Sequence, residues 1–89
     1  MSKLKERMAG LLSSLPKEVV FNLPQVVLTG RSEVSIENYQ SLIEYTGAQI
    51  RINTKNGILK IEGSSLTLKQ ITTESITVLG DIVKLEFLL

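Results

Sequence analysis

The chain has 89 residues, 43% of them hydrophobic, with ten basic against nine acidic side chains for a net charge of +1; that suits one small domain, able to bury about 60 to 65% of the surface its unfolded form exposes. It contains no cysteine and no histidine, which excludes disulfides, thiol catalysis, zinc and haem sites of the usual kind, and the commonest general base. Four aromatic residues, none of them Trp, offer few stacking platforms on a chain without a strong basic excess, so no nucleic-acid partner is expected.

Residues 1–15 read as an amphipathic helix. Leu4, Met8, Leu11, Leu12 and Leu15 recur at helical spacing, Lys3, Lys5, Glu6 and Arg7 fall mostly on the other side, Ser2 can cap the start and Pro16 ends it. Its apolar stripe can dock on the rest of the chain, bind a partner, or lie on a membrane surface with its basic residues toward anionic headgroups. The first 20 residues hold four basic and two acidic side chains and the other 69 hold six and seven, an excess too weak to favour the membrane surface over docking on the rest of the chain. No apolar run approaches the roughly 20 residues of a spanning helix, and the N-terminus lacks the apolar core of a signal peptide, so a soluble, non-secreted protein is expected.

From Gln25 the period changes to two, as expected for a single β-rich domain over 16–89. Apolar residues pair as Val34/Ile36, Ile43/Tyr45, Ile50/Ile52, Leu59/Ile61, Leu66/Leu68 and Ile76/Val78, then Val83/Leu85/Phe87, with polar residues between them. Alternation over short runs predicts strands with one buried and one wet face. Turn signals separate the runs at 46–47, 55–57, 63–65, 72–74 and 80–81, which predicts seven or eight short strands. Asn56-Gly57 is the most specific, because a type I′ hairpin turn needs positive φ at both central positions; it predicts that Ile50–Thr54 and Ile58–Glu62 pair antiparallel.

The fold class is therefore mainly β: a small antiparallel roll or sandwich of short strands behind an N-terminal helix. Alternate runs start at 34, 50, 66 and 83, intervals of 16 or 17 residues that also suit a short β-solenoid with two strands per coil. The Asn-Gly turn favours the roll or sandwich.

Candidate chemistry is sparse. Glu33, Glu37, Glu44, Glu62, Glu74, Asp81 and Glu86 are spread singly over wet strand positions and turns, which reads as solvation rather than as an acid/base pair. There is no phosphate-binding loop or calcium loop, no catalytic residue is assigned, and no cofactor or metal is expected. Open sheet edges are the more informative feature, since unpaired N–H and C=O groups invite another strand or another copy, and a homo-oligomer through those edges is expected. Leu88 points away from the face of Val83, Leu85 and Phe87, which suits contact with the N-terminal helix or a partner.

The segment "PKEVVFNLPQVVLTGRSEVSIENY", then "GILKIEGSSLTLKQIT" and "DIVKLEF", resembles the YabP/YqfC family of sporulation proteins, closest to its YqfC branch. The likeness covers about residues 16 to 87; its most specific pieces are Leu23-Pro24, Gly30 and Ile36-Glu37-Asn38. The resemblance implies a non-enzymatic role in endospore formation. It places the protein in the mother-cell cytoplasm or at the periphery of the forespore membrane, among other sporulation or spore-envelope proteins. Family members place His, a basic residue and Gly after Glu37-Asn38, whereas this chain has Tyr39-Gln40-Ser41. That departure leaves no histidine to titrate or bind a metal at the corner and makes Asn38, Tyr39 and Gln40 a candidate contact spot built on shape.

Overall fold

The computed structural model describes residues 22–89, so the expected helix and its apolar residues lie outside the described part. Six strands follow in order: β1 Gln25–Thr29, β2 Glu33–Glu37, β3 Tyr39–Tyr45, β4 Gln49–Thr54, β5 Gly57–Ile71 and β6 Ser75–Leu88. They form one open sheet of order β1-β2-β6-β5-β4-β3 in which every neighbouring pair is antiparallel. A β-solenoid stacks its coils in parallel, so the antiparallel ladders overturn that alternative.

The sheet curls onto itself. β2 and β3 are four strand intervals apart in sheet order, about 19 Å if the sheet were flat, yet Asn38 alone joins them. Two consecutive Cα–Cα steps span at most roughly 7 Å. The ends of β2 and β3 must therefore be brought together, and the long β5–β6 hairpin is the element that bends to do so. Its lower half pairs with β4 through residues 57–62, and its upper half pairs with β2 through residues 75–79.

The bend corrects two expected turns. The small-residue stretch at 63–65 and the Gly80-Asp81 pair lie inside continuous strands, which merges four short runs into two long ones and leaves six strands among the described residues. Register shifts fall at Glu62/Gly63 and Ser64/Thr67, as expected where bulges bend a sheet. Glycine is required there by close approach: a Cβ at Gly63 would sit 2.0 Å from the Asp81 carbonyl oxygen, and one at Gly80 would sit 2.9 Å from the Leu66 Cα.

Curling lets both halves share one core. Val34, Ile36, Ile50, Ile52, Leu59, Ile61, Leu66, Ile76, Val78 and Ile82 are buried in a single cluster, each contributing about 1.5–3 kcal/mol by leaving water. The alternation read from the sequence put all ten on the inner face except Ile82, which follows the bend.

Three expectations fail in informative ways. Ile43 and Tyr45 are 43% and 46% exposed rather than buried. β3 pairs with β4 as Tyr39↔Thr54, Leu42↔Ile52 and Tyr45↔Ile50, with an irregularity between successive pairs; its inward positions thus recur every third residue, leaving Ile43 as an extra, bulged residue and Tyr45 at an open edge. Val83 is 71% exposed because it is skipped in the register between Ile82 and Lys84, and Phe87 is exposed at the end of its strand. The β4–β5 hairpin forms as expected, but Lys55-Asn56 is its loop and positive φ occurs at Gly57 without Asn56. The Thr54 hydroxyl organises that turn, accepting from Asn56 N at 3.0 Å and donating to Gly57 O at 2.6 Å.

Candidate functional site

The bend divides the sheet's margin into four stretches of strand with one side unpaired among the described residues. β1 and β3 are the outer strands of the sheet. In addition, β4 accompanies β5 only as far as Glu62, leaving one side of Thr67–Ile71 open, and β2 accompanies β6 only from Ser75 to Leu79. Backbone bonds from Gly80 to Ser32 and from Ile82 to Arg31 extend that contact, and from Val83 onward the side of β6 facing away from β5 is open.

Exposed apolar side chains gather on these stretches. Val27 and Leu28 lie on β1, Ile43 and Tyr45 on β3, Ile71 on the open part of β5, and Val83 and Phe87 on the open part of β6; the terminal Leu89 is the other large apolar residue exposed among the described residues. Val83 also borders a shallow hollow lined by Ala48, Gln49, Glu62 and Gly63. A sheet margin that combines unpaired backbone with apolar side chains is suited to strand addition or to packing against another chain.

The corner around Asn38 has a different character. Asn38 adopts φ 65°, a left-handed conformation that Asn tolerates better than most residues. Its backbone N–H donates to Glu74 O at 2.7 Å and its Nδ2 donates to Leu23 O at 2.9 Å. Tyr39 donates its hydroxyl to Thr72 O at 2.5 Å, and Gln40 Oε1 accepts from Asn53 Nδ2 at 3.2 Å. These bonds fasten the segment before β1, the β2–β3 link and the β5–β6 turn to one another, so the corner closes the curl.

The outer face of the lower half carries a charge ladder. Glu44, Arg51, Lys60 and Glu86 stand side by side across β3, β4, β5 and β6, with Gln49, Glu62 and Lys84 in the adjacent row. Gln49 Nε2 and Arg51 Nε both donate to Glu44 Oε1, at 2.8 and 2.7 Å. Those bonds, the one from Gln49 foremost, hold the Glu44 carboxyl below its ordinary range. Lys84 does the same for Glu86, and the Lys84 ammonium is itself raised by that hydrogen bond. Lys60 pairs with Glu62 at 2.9 Å. Beyond the ladder, Leu88 lies half-buried opposite Ile58 on this outer face. Among the described residues no three acidic side chains converge on one point, and no helix is long and apolar enough to cross a membrane.

Comparison with known proteins matches the YabP family model to residues 22–88. The chain belongs to the YabP family. The YabP-family match is coextensive with the curled sheet, opening just before Leu23-Pro24 and closing with β6. The chain is also 31% identical over 85 residues to "Uncharacterized protein YqfC" of Bacillus subtilis (strain 168), covering 92% of this chain and 91% of that protein. Leu23, through its carbonyl, and Asn38 were among the residues that carried the resemblance in the sequence, and they meet in the hydrogen bond that closes the curl. The edge residues Val27, Leu28, Ile43, Tyr45 and Val83 carried no motif; the readable signal was confined to the uncharged run Gln25–Thr29.

Proposed function

We propose that this YabP-family chain is a non-catalytic sporulation protein that works by binding other proteins of the developing spore through the open margin of its sheet. The observation that supports this is the placement of the exposed apolar side chains on the four stretches of unpaired strand. Backbone groups there supply affinity, and the alternate side chains supply selectivity. The charged outer face and the hydrogen-bonded corner keep the remaining surface soluble and the curl closed.

The test is co-purification from sporulating cells with the full chain and with a double variant, Ile43→Lys with Tyr45→Lys, placed on a margin that the core does not need. Partners recovered with the natural chain and lost with a folded variant support the reading; identical recovery with both removes the β3 margin from it. Liposome flotation of the full chain and of a chain starting at Pro16 tests whether residues 1–15 serve a membrane surface instead. Binding lost on truncation would replace the protein-contact reading with that one.

A further inference from the structure

Of the four open stretches, three carry features that discourage pairing with another strand. β3 has two irregularities in its register and Glu44 near its end. The open part of β5 contains Lys69 and a register shift between Leu68 and Gln70, and that of β6 begins at the skipped Val83 and contains Lys84 and Glu86. Bulges and charges are the usual means of protecting an edge. β1 has neither within it: Gln25–Thr29 pairs with β2 in unbroken register and holds no charge, glycine or proline, and Pro24, a residue that can blunt an edge, stands just outside the strand at its entrance. Val27 and Leu28 are 51% and 48% exposed on it.

We infer that β1 pairs antiparallel with β1 of a second copy about a two-fold axis at Val27, joining two curled sheets into one. This rests on the reading of the sheet margin as a contact surface, and it names the partner of one stretch. In that register Val27 meets Val27 of the other copy, Val26 meets Leu28, and Gln25 meets Thr29, so apolar residues meet apolar and polar meet polar with no like charges opposed. The strand is its own complement, as a two-fold interface requires.

The side chains fit on both faces. Val26 lies opposite Ile36 and Leu28 opposite Val34, so both are on the inner face, and Val26 packs against the core. A second β1 would continue that row with its own Leu28 and Val26 and cover the flank of Leu28 that now faces solvent. On the outer face, Val27 follows Ser35 and Thr77 across the sheet, and a second Val27 extends an uncharged row.

The experiment is mass in solution by sedimentation for the full chain, Val27→Lys, Val27→Glu, and an equimolar mixture of the two variants. Residue 27 meets itself at the axis, so each variant alone sets like charges in opposition and the mixture sets Lys against Glu. The natural chain is expected at twice its 9.9 kDa, each variant alone at the monomer mass, and the mixture at the dimer mass again. A monomeric natural chain, a dimeric Val27→Lys, or a mixture that stays monomeric overturns the inference. Circular dichroism confirms that the variants fold, and Val27→Arg, at the same half-exposed position on the axis, replaces Val27→Lys if it does not. Since β3 is untouched in these variants, failure here leaves the co-purification test of the wider reading intact.

Discussion

Gly63→Ala is the sharpest probe of the curl. The added Cβ would lie 2.0 Å from the Asp81 carbonyl oxygen, 3.0 Å from the Asp81 carbonyl carbon and 3.1 Å from the Ile82 Cα; all three are backbone atoms, so no side chain can swing aside. Relief requires the two strands to part by roughly 1.5 Å, since carbon atoms in contact sit about 3.5 Å from their neighbours. Such a movement stretches neighbouring N–H···O bonds beyond hydrogen-bonding distance. Overpacking of this kind costs about 1–3 kcal/mol, and each backbone bond lost adds about 0.5–1.5 kcal/mol. A total of about 2–5 kcal/mol is expected, against a folding free energy of about 5–15 kcal/mol for a small domain. At about 4–8 °C per kcal/mol, the melting temperature should fall by at least about 8 °C. Gly47→Ala is the matched control, because its Cβ meets nothing within 4 Å and its φ is not positive; it should be neutral or stabilise by up to about 1 kcal/mol through the unfolded chain. Thermal and urea melts followed by circular dichroism read both. A Gly63→Ala chain that melts with Gly47→Ala would refute the close approach at the bend.

The remaining predictions concern the corner and the charge ladder. Asn38→Ala loses the bond to Leu23 and forces a Cβ residue without a polar side chain into left-handed φ, so it should cost about 2 kcal/mol; Asn38→Gly keeps the conformation and should cost about half of that, and equal melts for the two would show that φ is not what Asn38 supplies. Tyr39→Phe removes only the hydroxyl bond to Thr72 and should lower stability by about 0.5–1.5 kcal/mol; an unchanged urea midpoint would count against that bond as a fastening of the turn. Glu44 has its folded pKa lowered, by Gln49 first and then Arg51, so its contribution is present above the ordinary carboxylate value of 4.5 and is lost as pH falls through the lower folded value. Glu44→Gln should therefore melt below the natural chain at neutral pH and converge with it in acid, and a gap that persists in acid would contradict the charge-based account.

Much of this was legible in the sequence where the period of two holds. Val34/Ile36, Ile50/Ile52, Leu59/Ile61 and Ile76/Val78 alternate without interruption, and all are buried on one face. Legibility failed at each bulge, because an extra residue moves every later side chain to the other face while leaving the local alternation intact. Ile43/Tyr45 and Val83/Leu85/Phe87 look like core pairs for that reason, although Ile43 and Val83 are the residues their bulges put out. The glycines at 63 and 80 read as turns because a turn and a bend both need a residue without a Cβ. The choice between them lay in the opposing strand, which local sequence does not specify. Asn38 was legible as a corner, and the partners that make it a fastening come from Leu23, 15 residues before it, and from Glu74, 36 after it.

The claim that the open margin is where the protein acts is tested most directly by the count of heat-resistant spores. The spore-former's only copy of the chain would carry Val27→Lys, Ile43→Lys, Ile71→Lys and Val83→Lys, one on each of the four open stretches. If the margin is the working surface, the count falls toward that of cells lacking the chain while the purified variant keeps the natural circular dichroism spectrum and melting temperature. A full count with the folded variant would contradict the claim.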